Sequence, residues 1–180
     1  MNDGLIPNRY AKALYKLADE CGDTSAVYKQ MKQLDAAYAA EAGLKKAVNN
    51  PFLPVQDKLS LLCSASGAEK DGSAAKFMEL VIKNNRIDFL RSIALAFMKQ
   101  YRQNNDIAKV EVVTAVKMGE DEIKGIIDVV KKQLGNKTIE LTTKVNPDII
   151  GGFTVDVDSR VLDASVKNQL EKLRLKLINQ

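Results

Sequence analysis

Residues able to do bond chemistry are scarce in this chain. It has no histidine, no tryptophan and two cysteines, Cys21 and Cys63, far outside any CxxC or CxxxC spacing, so a zinc site has almost nothing to bind with. Without His the common general base near neutral pH is missing, and nucleophilic catalysis would have to use Lys or carboxylate variants. Gly151-Gly152 lacks the frame of a phosphate-binding loop and precedes a strand-like segment, so it reads as a bulge or a close backbone approach. Asp156, Asp158 and Asp163 lack the spacing of a Ca2+ loop and suit a solvated sheet edge. The sequence therefore offers no catalytic, cofactor-binding or metal-binding residues and implies no cofactor.

What the chain does offer is apolar stripes at helical spacing. Tyr10, Ala13, Leu14 and Leu17 recur on one face near the N-terminus, and could be core or could line a groove for a partner's amphipathic helix. Ala13 is small enough to let a second helix approach, and Tyr10 offers a ring with a polar rim. A second stripe, Val166, Leu170, Leu173 and Leu177, is spaced four, three and four, with Lys167, Lys172, Arg174 and Lys176 as neighbours. It could pack on its own sheet with a solvated basic face, or meet a partner.

These stripes sit in a chain of 180 residues, 46% hydrophobic, enough for one or two domains. Met1-Asn2-Asp3-Gly4 opens without a basic cluster ahead of an apolar run, and no stretch approaches the ~20 apolar residues that span a bilayer, so membrane association is expected only through partners. The net charge is +4, with 15 Lys/Arg against 11 Asp/Glu in residues 1–105 and 12 of each beyond. A pI near 8.9 keeps a nucleic-acid-binding adaptor as the alternative function, but neither half has a strongly basic footprint and the strands lack interleaved aromatics. Both cysteines fall in apparent helix interiors and are expected to be small buried hydrophobes in a reducing compartment.

Helical periodicity runs to about residue 104. Pro7 suits a first turn and Gly22 a stop; Val27, Met31, Leu34 and Tyr38 mark a second helix that Gly43 ends or bends. Leu44–Val48 is a short helix before Asn49-Asn50-Pro51, and Pro54 can open the next, with Leu59, Leu62 and Cys63 running to Gly67. After a polar loop capped at Ser73, Phe77, Leu80, Val81 and Lys83 mark a fifth helix; past Asn84-Asn85, Ile87, Leu90, Ala94, Phe97 and Tyr101 mark a sixth. The expectation is an all-α six-helix bundle over 1–105 and, beyond Gln103-Asn104-Asn105-Asp106, a small α+β module over 106–180. In the latter, 107–116, 137–145 and 153–157 read as strands, with a short run at 160–162. A helix carrying Ile123, Ile126, Ile127, Val130 and Leu134 follows the acids at 120–122, and a terminal helix starts near Ala164.

In this order the segments resemble a known family. Arg9-Tyr10-Ala11-Lys12-Ala13-Leu14, Asn50-Pro51-Phe52 and the run Phe77 to Arg86 are similar to the delta subunit of F-type ATP synthase, homologous to the mitochondrial oligomycin-sensitivity-conferring protein. So are Asn146-Pro147-Asp148-Ile149-Ile150-Gly151-Gly152-Phe153, Val161 to Val166 and Leu170-Glu171-Lys172-Leu173. A departure lies at Val155 to Arg160, where the family usually has a basic residue on the strand and a Gly-Asp or Gly-Asn turn.

The resemblance implies a non-catalytic stator connector that resists rotor torque between catalytic head and peripheral stalk, coupling rotation to proton transport and ATP synthesis. It implies that 1–105 hold the N-terminal helix of an alpha subunit in a groove between the first and fifth helices. Tyr10, Ala13, Leu14, Leu17, Phe77, Leu80 and Val81 would share groove and core, with Tyr28 at the border. It also implies that 106–180 hold the C-termini of the b subunits of the peripheral stalk, with Val166, Leu170, Leu173 and Leu177 in contact. The implied place is the cytoplasmic side of a bacterial inner membrane, peripheral and without nucleic acid.

Overall fold

The computed structural model describes residues 4–69, 71–116, 119, 123, 125, 137–157 and 160–178. The chain divides into two compact units, Met1–Tyr101 and Arg102–Gln180.

The first unit is helical: α1 (Leu5–Cys21), α2 (Thr24–Ala40), α3 (Ala42–Val48), α4 (Val55–Ser66), α5 (Ser73–Lys83), a 3-10 turn at Ile87–Phe89 and α6 (Leu90–Asn104), whose last residues enter the second unit. The helix ends are set locally. Gly22 takes φ 71°, its N–H and that of Asp23 reaching back to the carbonyls of Asp19 and Ala18, a Schellman stop that glycine adopts without a Cβ penalty. Asn85 does the same for α5 at φ 52°, with Asn85 and Arg86 donating to Ile82 and Val81.

Two local expectations are corrected. The break between α2 and α3 falls at Glu41, extended at φ −114° and ψ 93°, while Gly43 lies inside α3. Gly72, not Ser73, is the N-cap of α5.

The core of this unit joins Leu14 and Ala18 of α1, Met31 and Leu34 of α2, Leu62 of α4, Met78 and Val81 of α5, and Ile93 and Phe97 of α6. Burying each large apolar side chain contributes about 1.5–3 kcal/mol, which is what fixes the mutual phase of the helices. Cys63 is buried as expected, but Cys21 is exposed: it ends α1, where the chain has left the core.

The second unit carries a sheet of order β2-β1-β3-β4, from β1 (Ile107–Thr114), β2 (Thr138–Val145), β3 (Phe153–Val157) and β4 (Arg160–Asp163), then α7 (Val166–Ile178). β1 and β2 are parallel, in register Val110 to Leu141, so a crossover must join them. The helix expected in that crossover lies outside the described residues apart from Gly119, Ile123 and Gly125; Ile123 and Gly125 are helical there. β3 and β4 are antiparallel additions, and the turn at Asp158-Ser159 is outside the described residues. Val110, Val112 and Val155 form one apolar face with Ile139, Leu141 and Phe153, while Glu111 and Lys144, 2.8 Å apart, belong to the polar face.

Candidate functional site

No grouping of three or more His, Cys, Asp or Glu that could hold a metal occurs among the described residues. A cavity of about 310 Å³ opens beside α2, α3 and the start of α6. Some of its polar groups are paired: Arg91 is held by Asp35 at 2.8 Å, and Asp88 accepts from the Asn49 amide. Burial pushes the Tyr38 phenol in its wall up to about 12, the Arg91 charge opposing and Asp88 adding to the shift. Phe153, the one aromatic on the described strands, packs into the sheet core, so they present no base-stacking platform.

What each unit does present is an apolar helical strip. In α1 the buried side chains are Pro7, Ala11, Leu14 and Ala18, a stripe turned away from the expected Tyr10, Ala13, Leu14 and Leu17. The apolar arc is wider than the core needs. Tyr10 and Leu17 are half-buried on its flank and Ala13 is exposed. On α5, Phe77 and Val81 are core at 4% and 0% exposure, whereas Leu80 is 50% exposed. Leu14, Phe77 and Val81 therefore support the strip from below, and Tyr10, Ala13, Leu17 and Leu80 supply its surface.

Tyr10 joins the two helices. Its ring meets Phe77 edge-on at 6.2 Å, the Asn84 amide donates to its hydroxyl at 3.1 Å, and the Arg86 guanidinium lies 5.4 Å from its centroid. The turn Asn84-Asn85-Arg86 thus fixes the orientation of the Tyr10 ring. Arg86 was not expected as a site residue; the sequence signal was the Asn-Asn pair after an apolar run, able to reverse the chain through a left-handed residue. Tyr28 stacks on Tyr101 at 4.4 Å, in the seam between α2 and α6. Tyr28 and Tyr10 both pack against the one buried core of this unit.

α7 has no buried residue: Val166, Leu170, Leu173 and Leu177 are 36%, 52%, 56% and 76% exposed. The stripe does not pack on its own sheet. Among the described residues, the hydrogen bonds that anchor α7 lie at its start. The Ser165 hydroxyl accepts the Asn168 N–H at 3.2 Å and caps the helix, while the Asp163 carboxylate accepts the Ser165 N–H at 2.9 Å. Bonds from the Ser165 hydroxyl and N–H hold the Asp163 carboxyl below its usual range. Gly152, at φ 74°, lets the chain pass so close to α7 that a Cβ would stand 2.4 Å from the Ala164 carbonyl oxygen. Gly151-Gly152 is a close backbone approach.

Fold and surface together define a two-unit chain with a helical end and an α+β end, each presenting an apolar helix strip at its surface. The sequence profile described as "ATP synthase delta (OSCP) subunit" matches residues 6–177. The ATP synthase subunit delta of Azobacteroides pseudotrichonymphae is 34% identical over 180 residues, spanning 98% of this chain and 100% of its own length. That of Phocaeicola vulgatus is 35% identical over 177 residues, 97% of this chain and 95% of its own. A chain in the Toxoplasma gondii mitochondrial ATP synthase hexamer has the same fold, with TM-score 0.75 and 23% identity, over 96% of this chain and 97% of that one.

The chain belongs to the ATP synthase delta (OSCP) subunit family. It is a stator connector of that complex and not an enzyme.

Proposed function

We propose that the helical unit, acting as a six-helix bundle over 1–105, grips the N-terminal helix of an alpha subunit of the catalytic head in the α1–α5 groove. The unit over 106–180 grips the C-terminal ends of the stalk's b subunits through α7. The chain would thus keep the head from turning with the rotor on the cytoplasmic face of a bacterial membrane, itself held there through the complex. No described helix is long and apolar enough to cross a membrane.

The observation that carries this reading is α7. A 13-residue helix is marginal in water unless an apolar face is packed, and this one leaves Leu170, Leu173 and Leu177 more than half exposed. A stripe spaced four, three and four matches the seam of a coiled coil, which is the chemistry of a helical stalk. In the first unit the support is the excess apolar arc on α1 and α5, with small Ala13 at its surface.

The test uses the full chain with two probes, a synthetic alpha N-terminal peptide and a dimeric b C-terminal fragment. Ala13→Trp should weaken the first at least tenfold and spare the second; Leu170→Asp with Leu173→Asp should do the reverse. Unchanged binding of the alpha peptide by the Trp variant would remove the groove, and unchanged b binding by the Asp pair would remove α7.

A further inference from the structure

Resting on the groove reading above, we infer that the groove selects its occupant by charge as well as shape: a helix whose apolar stripe is flanked by carboxylates, gripped by a basic rim on both walls. On α1, Arg9 lies four residues before exposed Ala13 and Lys16 three after it; on α5, Lys76 lies four before exposed Leu80 and Lys83 three after it. Those spacings put each cation on the face of the helix that carries the strip. All four are exposed.

The rim is nearly of one sign. Within α1 the first acid is Asp19, beyond the strip, and the acid of α5, Glu79, is engaged with Lys83 at 2.8 Å. Arg9, Lys16 and Lys76 have no ion pair among the described residues. At one end Arg86, held over Tyr10, adds a further cation. Scattered surface lysines are normally just solvated, but like charges on both walls of an apolar strip raise the local concentration of an oppositely charged segment. A neutral or basic helix of the same shape would leave those walls repelling one another.

Each exposed pair is worth little, about a two- to fivefold change in Kd, so the signal lies in several acting together. Three synthetic amphipathic peptides sharing one Leu/Ile stripe, flanked by Glu, Gln or Lys, are titrated against the full chain at low and high salt. The Glu peptide should bind tightest and the Lys peptide weakest, with the gap closing as salt rises. The variant R9E/K16E/K76E should invert that order while keeping its helical circular dichroism; if it does not fold, R9E and K76E singly should each cost the Glu peptide two- to fivefold.

Equal affinity for the Glu and Gln peptides would overturn the charge inference and leave the groove standing. Failure of all three peptides, or binding indifferent to Ala13→Trp, would remove the groove and the charge inference together.

Discussion

Replacing Gly152 by Ala should detach the terminal helix from the sheet while leaving the helical unit intact. Gly152 holds φ 74°, which costs an L-residue about 1–2 kcal/mol. The new methyl would stand 2.4 Å from the Ala164 carbonyl oxygen and 3.3 Å from the Ser165 Cα, both backbone atoms that cannot rotate away. Relief requires pulling the two segments apart, which stretches the bonds from Ala164 N–H to the Phe153 carbonyl and from Val166 N–H to the Gly151 carbonyl, each 3.0 Å. At about 1 kcal/mol per bond the total reaches about 3–4 kcal/mol. Gly151→Ala is the control. Its methyl would meet the Val166 Cγ2 at 3.0 Å, a side-chain atom, so the loss should stay near 1 kcal/mol. Amide hydrogen exchange on the full chain reads the difference directly: protection of Ala164 and Val166 should fall by about two to three orders of magnitude in G152A and by about one in G151A. Binding of the b fragment should fall with it, and binding of the alpha peptide should not. Wild-type protection in G152A, or equal loss in the two variants, would refute the close-approach account.

Core and groove residues should separate in one experiment: Leu14→Ala should cost about 3–5 kcal/mol in chemical denaturation, whereas Leu80→Ala, half exposed, should stay within about 0.5 kcal/mol yet weaken alpha-peptide binding. Tyr38 should titrate late in an alkaline absorbance scan, at about 12 against 10.0 in the unfolded chain. Its folded value is the higher one, so its stabilising contribution is present below pH 10 and is lost as pH rises through 12; Tyr38→Phe should delete that step.

Much of the fold was legible because it is written locally. Gly22, Gly67 and Asn84-Asn85 stop helices through left-handed residues, which a sequence reveals without knowing any neighbour. The alternation Phe153, Val155, Val157 matched a half-buried strand for the same reason. Glu41, with no glycine or proline signal, was not legible as the break after α2.

The candidate surface was less legible, because a stripe states that a face is apolar and not what covers it. Residue types and their spacing suffice to show that the chain lacks histidine, that helices give way to strands near residue 106, and that α1 and α7 carry apolar stripes. Packing was needed to show that Leu14 and Val81 are interior while Ala13 and Leu80 are surface, that Tyr28 belongs to the α2–α6 seam, that β1 and β2 run parallel, and that Leu170, Leu173 and Leu177 of α7 stay more than half exposed. The periodicity of a helix is set by its own backbone, whereas burial is set by neighbours distant in the chain.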